Sequence, residues 1–307
     1  MSDDTNNPKI SIIIPCCNVG PYLRECIKSI RTQTLKDIEV WIVDDNSSDG
    51  AVSDVEEILD DRFRVIKNRE RLGAGASRNI AMKLSKGEFI AFMDGDDFYP
   101  SPSVLEGLYM LAKKNNAEIC GGSLYICNEF GAIISKKVPG QFFQKQGFLN
   151  YSAYQHDGGF YRFIYRREFL SKNNLTFPDY LRMQDPVFFV NAMCCASTIY
   201  VTTKYTYAYR KNHKVVEWTE RRVRDHLKAI SDILIFSKQK KLNRLHLLMC
   251  QNFIKTLRTK PLTLRVHAVP IFSILKAVSL KQLFLGYKEK TGKGFVSFLM
   301  QLLKLIK

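Results

Sequence analysis

The apolar residues in the first part of the chain fall into short dense runs. ISIIIP (10–15), IEVWIV (38–43), RFRVI (62–66), EFIAFM (88–93) and EICGGSLYI (118–126) are β-branched or aromatic and of strand length. Between them YLRECIKSI (22–30), VSDVEEILD (52–60), RNIAMKLSK (78–86) and VLEGLYMLAKKN (104–115) carry apolar positions at helical spacing. In the first of these, Leu23, Cys26, Ile27 and Ile30 share one face, and Gly87 ends the third. Strand–helix alternation predicts an α/β fold, a mostly parallel sheet flanked by helices on both faces. Ligands of such sheets bind beyond the carboxyl ends of the strands. Two acidic clusters are predicted there: DDNSSDG (44–50) and Asp94-Gly95-Asp96-Asp97.

Clustered carboxylates disfavour one another's ionisation unless a cation, arginines or water compensate. Mn2+ or Mg2+ takes oxygen ligands and leaves positions open for phosphate oxygens, so the clusters suggest a metal–phosphate site. Each also reads as a turn, with Asp44–Asp49 forming an Asx turn and helix cap. A calcium-binding EF-hand loop is excluded, because Gly95 comes too early and no glutamate closes the loop.

ISIIIPCCN, QTLKDIEVWIVDDNSSDG, NRERLGAGASRN and GEFIAFMDGDD stand here in an order and spacing that resembles the family 2 glycosyltransferases. The resemblance is strong over about 8–125 and weaker over 160–215. It implies a nucleotide-sugar-binding domain of the GT-A type. Residue by residue, it implies that Pro15 and its neighbours pack against the nucleotide base and that Asp45 accepts a hydrogen bond from the base. Arg78 and Asn79 would lie near the base and diphosphate. Asp94 would meet the ribose and Asp96 the metal, while Asp97 either shares the metal or caps a turn. Cys17 departs from the tyrosine the family often carries before Asn18. Further on, Gln184-Asp185 matches an acidic pair of which only Asp185 remains. That implies Asp185 as the carboxylate that takes the acceptor's proton; before Pro186 it also reads as a helix N-cap. His213 is a candidate third metal ligand, with Arg210 or Lys211 on a phosphate, although a lone His in a basic loop also reads as a surface residue. His156-Asp157 reads as a contact to the acceptor or as loop and turn.

Charge divides the chain of 307 residues. Residues 1–203 hold 23 Lys+Arg against 25 Asp+Glu, whereas 204–307 hold 23 against 5, so the net charge of +16 belongs to the last third. The expected division is a catalytic domain over 1–215 and a basic helical region over 216–307. Within the former, a nucleotide-sugar half spans about 8–125 and an acceptor half about 126–215. Helices are expected in 223–239, 242–258 and 271–286, punctuated by Pro261 and Pro270. At the end, Phe295, Phe298, Leu299, Leu302, Leu303 and Ile306 form an apolar stripe beside Lys304 and Lys307. This is the pattern of an interfacial helix on an anionic membrane surface, or of faces that pack on one another. No nucleic-acid module is present. Eight cysteines without a CxxC pair, no signal-type leader and no apolar run of about 18 residues suggest a cytoplasmic protein, peripheral on the inner membrane face.

The resulting expectation is an inverting, metal-dependent glycosyltransferase of surface polysaccharide synthesis. It would move a sugar from a nucleotide-sugar donor, uridine-linked, to a hydroxyl of a glycan acceptor, lipid-linked in many bacterial members of the family. One alternative is a sugar-1-phosphate nucleotidyltransferase, whose Gly-rich phosphate loop is missing. The other is a non-catalytic membrane-surface interaction protein on a GT-A scaffold.

Overall fold

The computed structural model describes residues 7–211, 217–259, 264–291 and 294. Contacts gather the chain into two compact units, 1–154 with 158–178 and 191–215, and 155–157 with 179–190 and 216–307. This differs from the expected division at 215, because the segments 155–157 and 179–190 group with the helices.

The first unit is built on a nine-stranded sheet. Its strands are β1 (Ile10–Cys16), β2 (Ile38–Asp44), β3 (Phe63–Lys67), β4 (Phe89–Phe92), β5 (Ile119–Cys127), β6 (Ile133–Ser135), β7 (Gly147–Phe148), β8 (Phe163–Arg166) and β9 (Ile199–Arg210). They run in the order β3-β2-β1-β4-β8-β5-β9-β7, with β6 paired to β5. β1 is parallel to β2 and β4, β2 to β3, and β5 to β9; β8 lies antiparallel between β4 and β5. The sheet is therefore mixed but mostly parallel.

Its helices are α1 (Tyr22–Arg31), α2 (Ala74–Leu84), α3 (Val104–Lys114), the single turn α4 (Tyr151–Tyr154) and α5 (Arg167–Lys172). α1 buries Leu23, Cys26, Ile27 and Ile30, the four residues its spacing selects. Burying such a side chain contributes about 1.5–3 kcal/mol, so this face fixes the helix on the sheet. The expected helix over 52–60 is instead a 3-10 turn, Ser53–Ile58, that buries only Val55. One buried apolar residue gives too little packing to hold a longer α-helix.

Gly87 has a steric role rather than that of a left-handed helix cap. A Cβ there would lie 2.4 Å from the Ser11 backbone nitrogen and 2.6 Å from its hydroxyl. The hydroxyl accepts the Gly87 N–H at 2.8 Å and donates to Glu39 at 2.6 Å, joining three segments at the amino end of β1.

The second unit holds α7 (Glu220–Gln239), α8 (Asn243–Thr259), α9 (Leu264–Ala277) and α10 (Leu280–Thr291). α6 (Gln184–Cys195) begins in it and ends in the first unit. α9 and α10 divide the apolar stretch expected as one helix, and Pro270 sits inside α9 without ending it. The side-chain amide of Gln155 accepts the N–H groups of Arg244 and Leu245 at 2.9 and 3.2 Å, satisfying donors that the first turn of α8 cannot. His213 and the stripe at 295–306 lie outside the described residues. No helix among the described residues is long and apolar enough to cross a membrane. The eight cysteines form no disulfide.

Candidate active site

β1, β2 and β4 end together, and their carboxyl ends present the motif residues. Cys16 pairs with Asp44 in register, and the Asp45 N–H donates to the Cys16 carbonyl at 2.8 Å. Consecutive strand residues point to opposite faces, so the two acids do different work. Asp44 Oδ1 accepts the Ser47 N–H at 2.9 Å, an Asx turn. Asp49 receives the Gly20 N–H at 2.8 Å, and Asn18 Oδ1 receives that of Ser48 at 2.8 Å. The loops after β1 and β2 are thus stitched to each other.

Asp45 is buried and accepts the N–H groups of Leu72 and Gly73 and the amide of Asn68, each at 2.8 Å. A carboxylate has about four lone-pair positions, so three donors leave one for a ligand. These bonds draw the RLGAG loop onto the strand end just before α2 begins.

α2 buries Gly75, Ser77, Arg78 and Ala81; the small residues let it approach the sheet and leave Arg78 as the one long side chain on that face. The Arg78 guanidinium donates to Asp94 Oδ1 at 2.6 Å and lies 4.9 and 5.1 Å from the ring centres of Phe160 and Phe177. Its Nε and Nη1 groups have no hydrogen-bond partner. Asn79, expected near the base and diphosphate, spends its amide elsewhere: it donates to the Phe177 carbonyl at 2.8 Å and accepts the Phe177 N–H at 2.9 Å. In this structure it is a clamp that holds one of the rings flanking Arg78. Pro15 is buried within β1, and its carbonyl lies 3.6 Å from where a Cβ on Gly95 would stand. The Asp-Gly-Asp turn therefore passes close over the end of β1.

That turn gathers Asp94, Asp96 and Asp97, which offer ligand atoms all within 4.8 Å of one another. Oxygen donors alone suit a hard divalent cation such as Mn2+ or Mg2+, so the residues fit that group. The three acids are held differently. Asp94 gives its N–H to the Tyr207 hydroxyl at 3.0 Å. Asp97 is fully buried and accepts the Tyr207 hydroxyl at 2.8 Å and the Arg210 N–H at 2.7 Å. Burial, reinforced by Asp96 and Asp94, holds its carboxyl well above the usual carboxylate range. Asp96 is the acid whose own carbonyl is tied down, by Arg210 Nε at 2.9 Å.

Arg210 does not reach outward to a phosphate, as its place in the basic loop suggests. Its side chain is 1% exposed. It donates to the carbonyls of Asp96, Asn128 and Glu129, pairs with Glu25 of α1, and packs over the rings of Tyr22 and Phe98. Together with Tyr207 it is the main support of the acidic turn. Tyr161 stacks on Tyr207 and Tyr209, with ring centres 4.2 and 5.6 Å apart. The alternation in YVTTKYTYAYR places Tyr207 and Tyr209 on one strand face, but nothing local shows that Tyr207 meets Asp94 and Asp97.

In the second unit, α6 starts at Gln184, so Asp185 lies in its first turn rather than at the cap. A carboxylate there faces the positive end of the helix dipole. The preceding loop is fixed to α7: the Leu181 N–H donates to Asp225 at 3.1 Å, and the Tyr180 hydroxyl donates to Asp232 at 2.6 Å. Asp157, expected at the acceptor or in a loop and turn, has its carboxyl pushed up to about 6, by burial first and then by the charge of Asp185. A titratable acid is thus coupled to the candidate base. A prediction follows from the direction of that shift. Below the ordinary value of 3.8 Asp157 is protonated folded or unfolded, and above about 6 it is ionised in both states, with the folded chain bearing the burial cost. Asp157→Asn is expected to raise the urea midpoint at about pH 7.5 and leave it unchanged at about pH 3.5.

The sequence profile described as "Glycosyl transferase family 2" matches residues 11–173. The chain is 32% identical over 217 residues to the uncharacterized glycosyltransferase EpsJ of Bacillus subtilis strain 168, covering 67% of this chain and 62% of EpsJ. It is 35% identical over 102 residues to WfaP of Escherichia coli, named as a UDP-Glc:α-D-GlcNAc-diphosphoundecaprenol β-1,3-glucosyltransferase, covering 33% of this chain and 41% of WfaP. Among solved structures, S. aureus TarS residues 1–349 in complex with UDP shares the fold, with a TM-score of 0.71 at 19% identity over 91% of this chain and 86% of that one. The profile spans more than half of the chain and contains every acidic motif of the strand-end site, and the chain accordingly belongs to glycosyl transferase family 2.

Proposed function

We propose that this chain transfers a sugar from a uridine diphosphate sugar to a hydroxyl of a glycan acceptor, with inversion at the anomeric carbon. The observation that carries the reading is the oxygen-only cluster of Asp94, Asp96 and Asp97, with the guanidinium of Arg78 bonded to its first member. A divalent cation, Mn2+ or Mg2+, held there supplies charge neutralisation for a diphosphate leaving group. Asp96 would hold it, and Arg78 fixes the orientation of Asp94, the acid assigned to the ribose. Asp45 keeps one acceptor position toward the nucleotide base. Asp185 takes the proton from the acceptor hydroxyl, and its charge is one of the causes that raise the Asp157 carboxyl.

UDP bound to TarS and the uridine donor in the name of WfaP support the donor, and WfaP's diphosphoundecaprenol substrate supports a lipid-linked acceptor in surface-glycan synthesis. A peripheral place on the inner membrane face suits that acceptor and the 23 basic against 5 acidic residues of 204–307.

The test is calorimetric titration of UDP, GDP and TDP with and without Mn2+. Metal-dependent binding of UDP alone is the expected result, and no binding of any of the three by the folded protein overturns the reading. Asp185→Asn is expected to bind UDP as tightly as the unaltered chain and to transfer about 10²–10⁴-fold more slowly, the usual contribution of a general base. Transfer at the normal rate would remove Asp185 from that role.

A further inference from the structure

The β5–β6 hairpin presents three large hydrophobic residues to solvent, one in its turn and two in β6. Phe130 is 85% exposed, Ile134 54% and Ile133 48%. This is not a loose loop. Asn128 Oδ1 accepts the N–H groups of Phe130 and Ala132 at 3.0 and 2.9 Å, while the Asn128 N–H donates to the Ala132 carbonyl at 2.9 Å. Gly131 closes the turn at φ +80°, a backbone that side chains disfavour. Arg210 donates to the carbonyls of Asn128 and Glu129 from beneath. A turn braced from two sides thus holds a phenyl ring out in solvent.

Basic residues outnumber acidic ones in the segment around the tip, where Glu25 is paired with Arg210. Between 128 and 148 there are three lysines, Lys136, Lys137 and Lys145, and a single acid, Glu129, although the body over 1–203 is net negative. Ile133 and Lys136 also line a cleft of about 860 Å³ whose wall continues through Met110, 63% exposed, Tyr205 and Lys204. Apolar groups at the tip with ammonium groups just behind them are the arrangement that seats at a bilayer interface, chains inward and charges among the headgroups.

We propose that the β5–β6 hairpin of the catalytic unit docks on an anionic lipid bilayer, with Phe130, Ile133 and Ile134 entering the interface and Lys136 and Lys137 meeting the headgroups. This deepens the membrane reading above, and it is independent of the donor chemistry. Because Arg210 braces both this turn and Asp96, the docked hairpin would hold the acidic cluster close to the surface on which a lipid-linked acceptor lies.

The experiment uses the full chain with vesicles of phosphatidylcholine, with or without phosphatidylglycerol and with brominated acyl chains. In a Phe130→Trp variant the introduced indole is expected to shift to the blue and be quenched by the bromines on anionic vesicles alone, beyond the response of Trp41 and Trp218 in the unaltered chain. A Phe130→Ser/Ile134→Ser/Lys136→Gln/Lys137→Gln variant is expected to partition at least about tenfold more weakly, given about 1 kcal/mol per basic residue at such a surface. Its UDP affinity should not change, which shows that it is folded. Two results overturn the proposal: no sedimentation of the unaltered chain with anionic vesicles, or sedimentation in which the introduced indole stays unquenched.

Discussion

Asp96→Asn is expected to lower the transfer rate by about 10³-fold or more, the order associated with losing a main electrostatic contact to developing charge. The expectation has a second part. Without a cation, Asp94, Asp96 and Asp97 repel one another, and burial already raises the Asp97 carboxyl. Removing one of the three charges relieves that repulsion, so the metal-free variant should be at least as stable to urea as the unaltered chain. Initial rates across a Mn2+ series and denaturation in a chelator read the two parts separately. Normal turnover by Asp96→Asn would move the metal away from this turn.

Arg210→Leu is expected to produce a large loss of stability, about 3–5 kcal/mol, because three carbonyls lose their donor at about 1–3 kcal/mol for each one left unsatisfied. The size follows from the asymmetry of its partners. Glu25 is 47% exposed and can return to water when Arg210 is removed, whereas Glu25→Gln leaves a guanidinium that is 1% exposed with neutral partners only and should cost about 1–3 kcal/mol. The carbonyls of Asp96, Asn128 and Glu129 lose a buried donor in Arg210→Leu. Urea denaturation of both variants, with Mn2+ affinity measured in parallel, separates the contributions. Equal, small losses would show that the carbonyl and ring contacts contribute nothing.

The features visible in the sequence were those set by local composition. β1, β2 and β4 are dense in Ile, Val and Phe because they lie inside the sheet, and α1 shows its buried face because one side of it stays in water. The 3-10 turn at 53–58 was not distinguishable from a helix, since with only Val55 buried the spacing carries no decision. The strand order was also hidden: FIYR at 163–166 is short, and its insertion between β4 and β5 depends on pairings some forty to eighty residues away. At the site, the positions of Asp45, Asp94 and Asp96 could be read from motif order. What each carboxylate does could not, because its partners arrive from Leu72, Tyr207 and Arg210, far along the chain. Asn79 shows the same limit, since its amide is committed to a backbone almost a hundred positions later.

The interposed strand β8 has a consequence for synthesis on the ribosome. β4 and β5 leave the exit tunnel before β8 exists, and each must wait with one edge unpaired until residues 163–166 emerge. At about 5–20 residues per second, the roughly forty residues from the end of β5 take about 2–8 s. β5 waits longer still for β9 on its other side. For that interval the nascent chain displays one edge of β4 and both of β5 without their final partners β8 and β9, templates for pairing with another chain. Translation speed and chaperone occupancy across codons 127–210 should therefore affect the yield of folded protein.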